Sequence, residues 1–330
     1  MTASPASPTH PNAVERSITE QFSFWRAAPL PAPLSGPERA VFVGCGTSYY
    51  LAQSLAATFN VQGRPALAVA GNEWASHQAA YVTPGEALKV VAVSRSGEST
   101  ETLLALRAAQ AQGLHVVGLT CAPGSTLARE ADTVVLSRTH PDEGIVMTAS
   151  ASLMLLGGLR LAGLTVDETE IQQAQTLLEQ HRDSFDALLA DRSHVVFLGA
   201  GELHGVAQEA ALKLQEMSLT VTQAYHPLEY RHGPISLVDG RSLMVLLYHP
   251  ETTAEEARLA ADLRRLGATV IGLGGPGDLS IALPDLPAGQ AARRGLSVLP
   301  LLQWLGERVA QHRGLNSSTP RHLTKVVTLS

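Results

Sequence analysis

From residue 36 onward, short unbroken apolar runs alternate with stretches whose apolar positions recur every three or four residues. Ala40–Val43, Leu88–Val93 and His115–Leu119 read as strands, and Ser48–Phe59 and Thr100–Gln112 as helices. Strands that are apolar throughout, without alternation, suit burial on both faces. That predicts a parallel sheet with helices on each side. Ahead of this region, Asn12–Arg26 predicts a short helix and Pro29–Pro37 a Pro-rich connector. Residues 1–12, mostly Ser, Pro, Thr and Ala, predict a disordered tail. The most apolar stretch, Met147–Leu164, is interrupted by Arg160 and several Gly and Ser residues, which fits a buried helix better than a membrane span.

The pattern then repeats. Val41-Phe42-Val43-Gly44-Cys45-Gly46, running on to Ala52-Gln53, returns 155 positions later as Val196-Phe197-Leu198-Gly199-Ala200-Gly201, running on to Ala207-Gln208. Further along, the heptapeptide starting at Gly113 returns 154 positions later, starting at Gly267. So constant an offset predicts two copies of one α/β lobe. The expected division is a tail and helix over 1–35, a first lobe over 36–170, a link over 171–190 with a helix at Gln172–Leu189, a second lobe over 191–315 and a C-terminal tail over 316–330.

Composition narrows the partners. Of 330 residues, 45% are hydrophobic and 16% charged, which predicts a folded chain with ample core. The formal charge is −6 and no run of Lys or Arg occurs, arguing against nucleic acid and acidic membranes. Two cysteines, Cys45 and Cys121, make neither a disulfide framework nor a metal-site spacing. The start lacks the basic and apolar regions of a signal peptide, so a cytoplasmic protein is expected; the candidate chemistry implies no metal or organic cofactor.

Four segments carry candidate chemistry. Ser94-Arg95-Ser96-Gly97-Glu98-Ser99-Thr100 follows a strand and opens a helix. Hydroxyls and free N–H groups at a helix start form an anion site, and four hydroxyls around a Gly exceed what a helix cap needs. The matching turn of the second repeat, from Tyr248 to Thr253, lacks this pattern, so the lobes differ in role. Cys45-Gly46-Thr47-Ser48 also joins a strand to a helix. It is a poor dinucleotide fingerprint, with Tyr49 where the third Gly belongs, but Thr47 and Ser48 can donate to a sugar or phosphate. On the helix after Gly201, Glu209, Lys213 and Glu216 form one stripe among apolar residues. Spacing alone leaves two readings open, a simple i,i+4 ion pair or equipment for moving a proton beside a carbonyl. His226 and His232 lie among turn residues, where a solvated side chain is the ordinary role and sugar-ring opening the alternative.

Taken together these residues resemble the isomerase half of glucosamine-6-phosphate synthase and its relatives in the sugar isomerase (SIS) superfamily, over about residues 36–330. The family's phosphate loop matches Ser94–Ser99, its Cys-Gly-Thr-Ser turn matches Cys45–Ser48, and its acid–base helix matches Glu209–Glu216 with Ala210 and Gln215 as departures. Its His-Gly-Pro matches His232–Pro234 and its C-terminal motif Pro320–Lys325. The resemblance implies two tandem αβα SIS lobes of flavodoxin-like type, assembled as a homodimer with shared active sites. It implies that Glu216 shuttles a proton between C1 and C2, with Lys213 and Glu209 beside it. It further implies that His232, from the neighbouring subunit, opens the ring and that Lys325 approaches the carbonyl carbon, where a Schiff base can form. Cys45, Gly46, Thr47, Ser48, Ser94, Arg95, Ser96 and Ser99 are the implied substrate-binding residues. These 330 residues hold no glutamine-hydrolysing segment with its leading Cys. Val146–Ser150 stands where the synthase has Ser-Thr-Lys, and with Glu143 and the Pro320–Lys325 tail this looks like the stand-alone amino sugar phosphate deaminase/isomerases. The expected reaction is conversion of glucosamine- or galactosamine-6-phosphate to ketose 6-phosphate and ammonia. A fructosamine-6-phosphate deglycase is a second reading, and a phosphosugar-binding regulator, which would not need Glu216, His232 and Lys325 together, a third.

Overall fold

A computed structural model describes residues 11–287 and 289–328. Most of the expected N-terminal tail lies outside the described residues. The chain opens with α1 (Ala13–Thr19) and α2 (Gln21–Ala27). A first sheet and its helices follow: β1 (Arg39–Gly44), α3 (Thr47–Val61), β2 (Ala66–Ala70), α4 (Gly71–His77), β3 (Leu88–Ser94), α5 (Thr100–Ala111), β4 (His115–Thr120), α6 (Thr126–Glu130) and β5 (Thr133–Leu136). Helices α7 (Ala149–Leu161) and α8 (Glu168–His181) lead to the second set: β6 (His194–Gly199), α9 (Leu203–Ser218), β7 (Thr222–Tyr225), β8 (Ser242–Leu247), α10 (Thr253–Arg265), β9 (Thr269–Leu273), β10 (Leu279–Ile281) and α11 (Ala291–His312).

The sheets have the same topology. The first runs β2-β1-β3-β4-β5 and the second, from its far edge, β7-β6-β8-β9-β10. Each strand pairs with its neighbours in parallel. This is the doubly wound order in which ligands gather at the carboxyl ends of the strands, where the strand order reverses. Neighbouring residues of a strand explain the unbroken apolar runs. Phe42 and Phe197 enter a central core shared by both lobes, whereas Val41, Val43, Val196 and Leu198 face outer cores. The central layer holds α3, α7, α9 and α11, and every residue of α7 is buried.

The repeat holds down to single turns. Gly46 and Gly201 both have left-handed backbone, with φ of 53° and 52°. The two central helices then cross at close range. A Cβ on Gly205 would lie 2.3 Å from the carbonyl oxygen of Tyr50, and the Ser54 hydroxyl donates to the carbonyl of Glu202 at 2.6 Å. Only a residue without a side chain lets α9 approach α3 this closely.

Two predicted helices need correction. The single helix expected over Asn12–Arg26 is two, broken at Glu20, whose carbonyl accepts the Ser23 hydroxyl at 2.9 Å. The link helix begins at Glu168, where Asp167 and Glu170 form a reciprocal cap, and ends at His181 instead of Leu189. Among the described residues, no helix is long and apolar enough to cross a membrane.

Candidate active site

Strand β1 ends in a tight turn that delivers α3 against α9. The Cβ position of Gly46 faces Leu212 of α9, and Thr47 and Ser48 are buried. Cys45 turns the other way. Its thiol lies 3.7 Å from the Thr102 hydroxyl and close to Gly71, and burial raises its pKa.

The β3–α5 loop is organised by its own hydroxyls. Ser94 accepts the Gly97 N–H at 3.1 Å and Ser96 accepts the Glu98 N–H at 3.2 Å. Both hydroxyls therefore keep their hydrogens for another acceptor. Ser99 stands at the N-cap of α5 without making a side-chain cap bond, and Gly97 has φ +63°. Glu98 does not face this cradle; its carboxylate accepts the Thr126 N–H at 2.7 Å and so caps α6. Arg95 is buried, and its guanidinium donates to the carbonyls of Gly144 and Lys325, each at 3.0 Å. Burial pulls its pKa down, against the opposing pull of Glu143, Cys121 and Glu216.

Helix α9 places the charged stripe opposite. Lys213 is 1% exposed, bonds Glu216 in a short contact and lies 3.9 Å from Glu209. Glu209 is fully buried and neither of its oxygens has a hydrogen bond of normal geometry, although the Thr47 hydroxyl is near enough to draw its pKa slightly back. Burial pushes the Glu209 carboxyl up to about 8, outweighing the attraction of Lys213. Burial also works against the Lys213 charge, but Glu209 and Glu216 outweigh it and its pKa stands above the usual value. The stripe thus sets a Glu209 that burial biases toward its protonated form behind the Lys213–Glu216 contact. Glu216 alone of the three reaches the surface, with 18% of its side chain exposed.

It opens into a cavity of about 470 Å³ walled by Leu212, Gln215, Leu219, Val221, Arg321 and Leu323 among others. His232 is not in this wall. It is exposed, its N–H donates to the Glu229 carbonyl at 2.9 Å, and its imidazole has no hydrogen bond or ion pair among the described residues. A larger groove of about 600 Å³ between α8 and the segment after β10 contains none of the candidate residues.

The C-terminal tail returns to the first lobe. Lys325 donates to the carbonyl of Glu143 at 3.1 Å, and the Val327 carbonyl accepts the Thr100 N–H at the start of α5. The structure thus gathers the Ser94–Ser99 loop, Arg95 and Lys325 at one lobe, with Thr47 against the stripe of the other. Sequence reasoning does not assign Glu143 a bond, because its partners are created by the fold. Among the described residues, no cluster of three or more His, Cys, Asp or Glu could hold a metal.

The model of the SIS domain matches residues 34–160 and 188–283, one segment in each lobe. The chain belongs to the SIS domain family. A glutamine–fructose-6-phosphate aminotransferase (isomerizing) of Pyrobaculum aerophilum is 30% identical over 309 residues, covering 87% of this SIS chain and 51% of that protein. Its namesake in Aeropyrum pernix is 31% identical, covering 94% and 54%. The SIS chain spans about half the length of these curated relatives. Among solved structures, a glucosamine-6-phosphate deaminase of Thermotoga maritima is 30% identical, with a TM-score of 0.83, over 96% of this chain and 100% of that one. A tagatose-6-phosphate ketose/aldose isomerase of Escherichia coli, 24% identical over 97% and 98% of the two chains with a TM-score of 0.81, shares the fold.

Proposed function

We infer that this SIS protein deaminates and isomerises an amino sugar 6-phosphate, with glucosamine- or galactosamine-6-phosphate as substrate. The observation that carries this reading is the buried Lys213–Glu216 pair, with its one solvent-facing carboxylate, in a two-lobed molecule whose other lobe carries a hydroxyl-lined loop. A structural ion pair would have no need of an exposed member beside a cavity. The likeness to the Thermotoga maritima deaminase over nearly the whole chain supports the same choice.

In this reading the 6-phosphate sits on Ser94, Ser96 and Ser99, and the Cys45–Ser48 turn meets the sugar. Glu216 takes the C2 proton of the open aldehyde while the aldehyde oxygen gains one, giving an enaminol. Returning the proton to C1 leaves an alcohol at C1 and an iminium at C2, which becomes the imine as its nitrogen gives up a proton, balancing the one gained at the oxygen. Water then adds to the imine carbon and the C–N bond breaks, yielding ketose 6-phosphate and ammonia. Lys213 holds Glu216 in place and supplies a nearby positive charge, and Lys325 approaches the carbonyl carbon. His232 opens the ring from the partner of a twofold dimer. Its free, exposed imidazole supports this, as does the apolar rim of Leu219, Val221 and Leu323, at 37%, 71% and 39% exposure, which a second copy would cover.

The test is ammonia release from a panel of amino sugar 6-phosphates and their unphosphorylated counterparts. The phosphorylated sugars should react and the others should not. Glu216→Gln should bind substrate but lose about 100- to 10,000-fold in exchange of the C2 hydrogen with solvent. Equal turnover of phosphorylated and free sugars, or wild-type exchange in the variant, would overturn the assignment.

A further inference from the structure

The loop between β5 and α7 has no regular structure, yet it crosses the site. One buried carboxylate holds it. Glu143 is 3% exposed, and its Oε1 accepts the N–H groups of Thr148 and Ser150 at 2.6 and 2.9 Å and the Thr148 hydroxyl at 3.1 Å. Its Oε2 accepts the Thr139 hydroxyl at 2.8 Å. These four bonds cap α7, the fully buried helix at the centre of the molecule, and tie both ends of the loop to that cap.

With its side chain so committed, Glu143 presents its main chain outward. Its carbonyl accepts the Lys325 ammonium, and the next carbonyl, of Gly144, accepts Arg95. Arg95 in turn reaches the carbonyl of Lys325. The tail lysine is therefore fixed at two points, its ammonium by the loop and its backbone by Arg95, and both points refer back to the Glu143 cap. We propose that Glu143 is a positioning residue for Lys325, with Arg95 as the second mount of the same clamp. This rests on the reading of Lys325 as acting at the sugar carbonyl. The carboxylate itself contacts no substrate. Its charge is used up on four donors, so its effect on the reaction passes through where it holds the tail.

A double-mutant cycle separates the possibilities, using the full-length protein and initial rates of ammonia release. Glu143→Ala should lower kcat by about 10- to 100-fold, the scale of a displaced catalytic group. Glu143→Gln keeps an oxygen for the Thr148 and Ser150 N–H groups, so it should retain most of the rate. It also serves if the Ala variant folds poorly. In a Lys325→Met background, Glu143→Ala should change the remaining rate by no more than about twofold, the scatter of independent sites. Hydrogen exchange of the amides at 321–328 should quicken in Glu143→Ala and stay protected in Glu143→Gln. The clamp is overturned if the two losses multiply while Lys325→Met alone is slow, or if Glu143→Gln is as slow as Glu143→Ala. A Lys325→Met variant with wild-type rate would instead remove the role given to Lys325, and the clamp with it.

Discussion

Glu209 makes the stability of this protein a function of pH in a way that one substitution isolates. In the unfolded chain its carboxyl ionises near 4.5, whereas burial in the fold raises it to about 8. Below 4.5 both states hold the proton and the site contributes fully. Between 4.5 and 8 the unfolded state sheds the proton while the folded state keeps it, so stability falls by about 1.4 kcal/mol for each pH unit. Lys213, whose pKa is raised, is protonated in both states across this window and adds no slope. Glu209→Gln has a similar shape and cannot ionise. From pH 5.5 to 7.5 the stability of the variant relative to wild type should therefore rise by roughly 2–3 kcal/mol. Urea unfolding at fixed protein concentration, at several pH values in that range, measures the difference directly. Contributions of every other group cancel in the subtraction as long as the slope m is unchanged. A difference that stays constant with pH, or falls, would show that Glu209 is ionised in the fold and that the neutral-acid description of the stripe is wrong.

Two further outcomes test the architecture and the assembly. Gly205→Ala should lower stability by about 1–3 kcal/mol or more, because the new methyl meets the Tyr50 carbonyl between two central helices; an unchanged melting temperature would contradict that crossing. His232→Ala and Glu216→Gln should each be nearly inactive, and after subunit exchange at equal amounts their mixture should recover about a quarter of wild-type activity per site; a mixture as inactive as its parents, with exchange confirmed by mass, would place His232 outside a shared site.

What can be read from the sequence is whatever is written locally. The strand β1 and its turn announce themselves because both need residues of fixed type. An apolar run must feed Gly46, whose backbone is left-handed, and Gly201 repeats the requirement. The same holds for the stripe, where spacing puts Glu209, Lys213 and Glu216 on one face of a buried helix. The break at Glu20 and the early start of α8 escape the periodicity for different reasons. The first has no Gly or Pro to mark it, whereas Asp167 and Glu170 do carry a legible capping signature, which apolar spacing alone overlooks. The state of Glu209 is beyond reach, since its burial depends on α3 packing against it from more than 150 residues earlier. So are the bonds of Arg95 and Glu143, whose partners include Lys325 some 182 residues away from the latter. Glu98, by contrast, sits in a motif that suggests a ligand contact and is occupied in capping its own lobe.

The crossing of α3 and α9 has a consequence for how such a molecule can diversify. Shifted by the repeat, Gly205 corresponds to Tyr50, and Glu209, Lys213 and Glu216 correspond to Ser54, Thr58 and Val61. Were the lobes separate identical chains related by an exact axis, every residue at the crossing would meet its own copy's surroundings. A large side chain on one side would then be a large side chain on both, and a buried Lys with two acids on one helix would face a second such set. Joining the lobes in one gene product removes that constraint. One helix could become slim and charged while its twin stayed uncharged. The price of this freedom is one such charged helix per chain where two identical copies would carry two. A side chain at position 205 is accordingly limited by the backbone carbonyl of its counterpart 155 positions away, whatever residue stands at position 50.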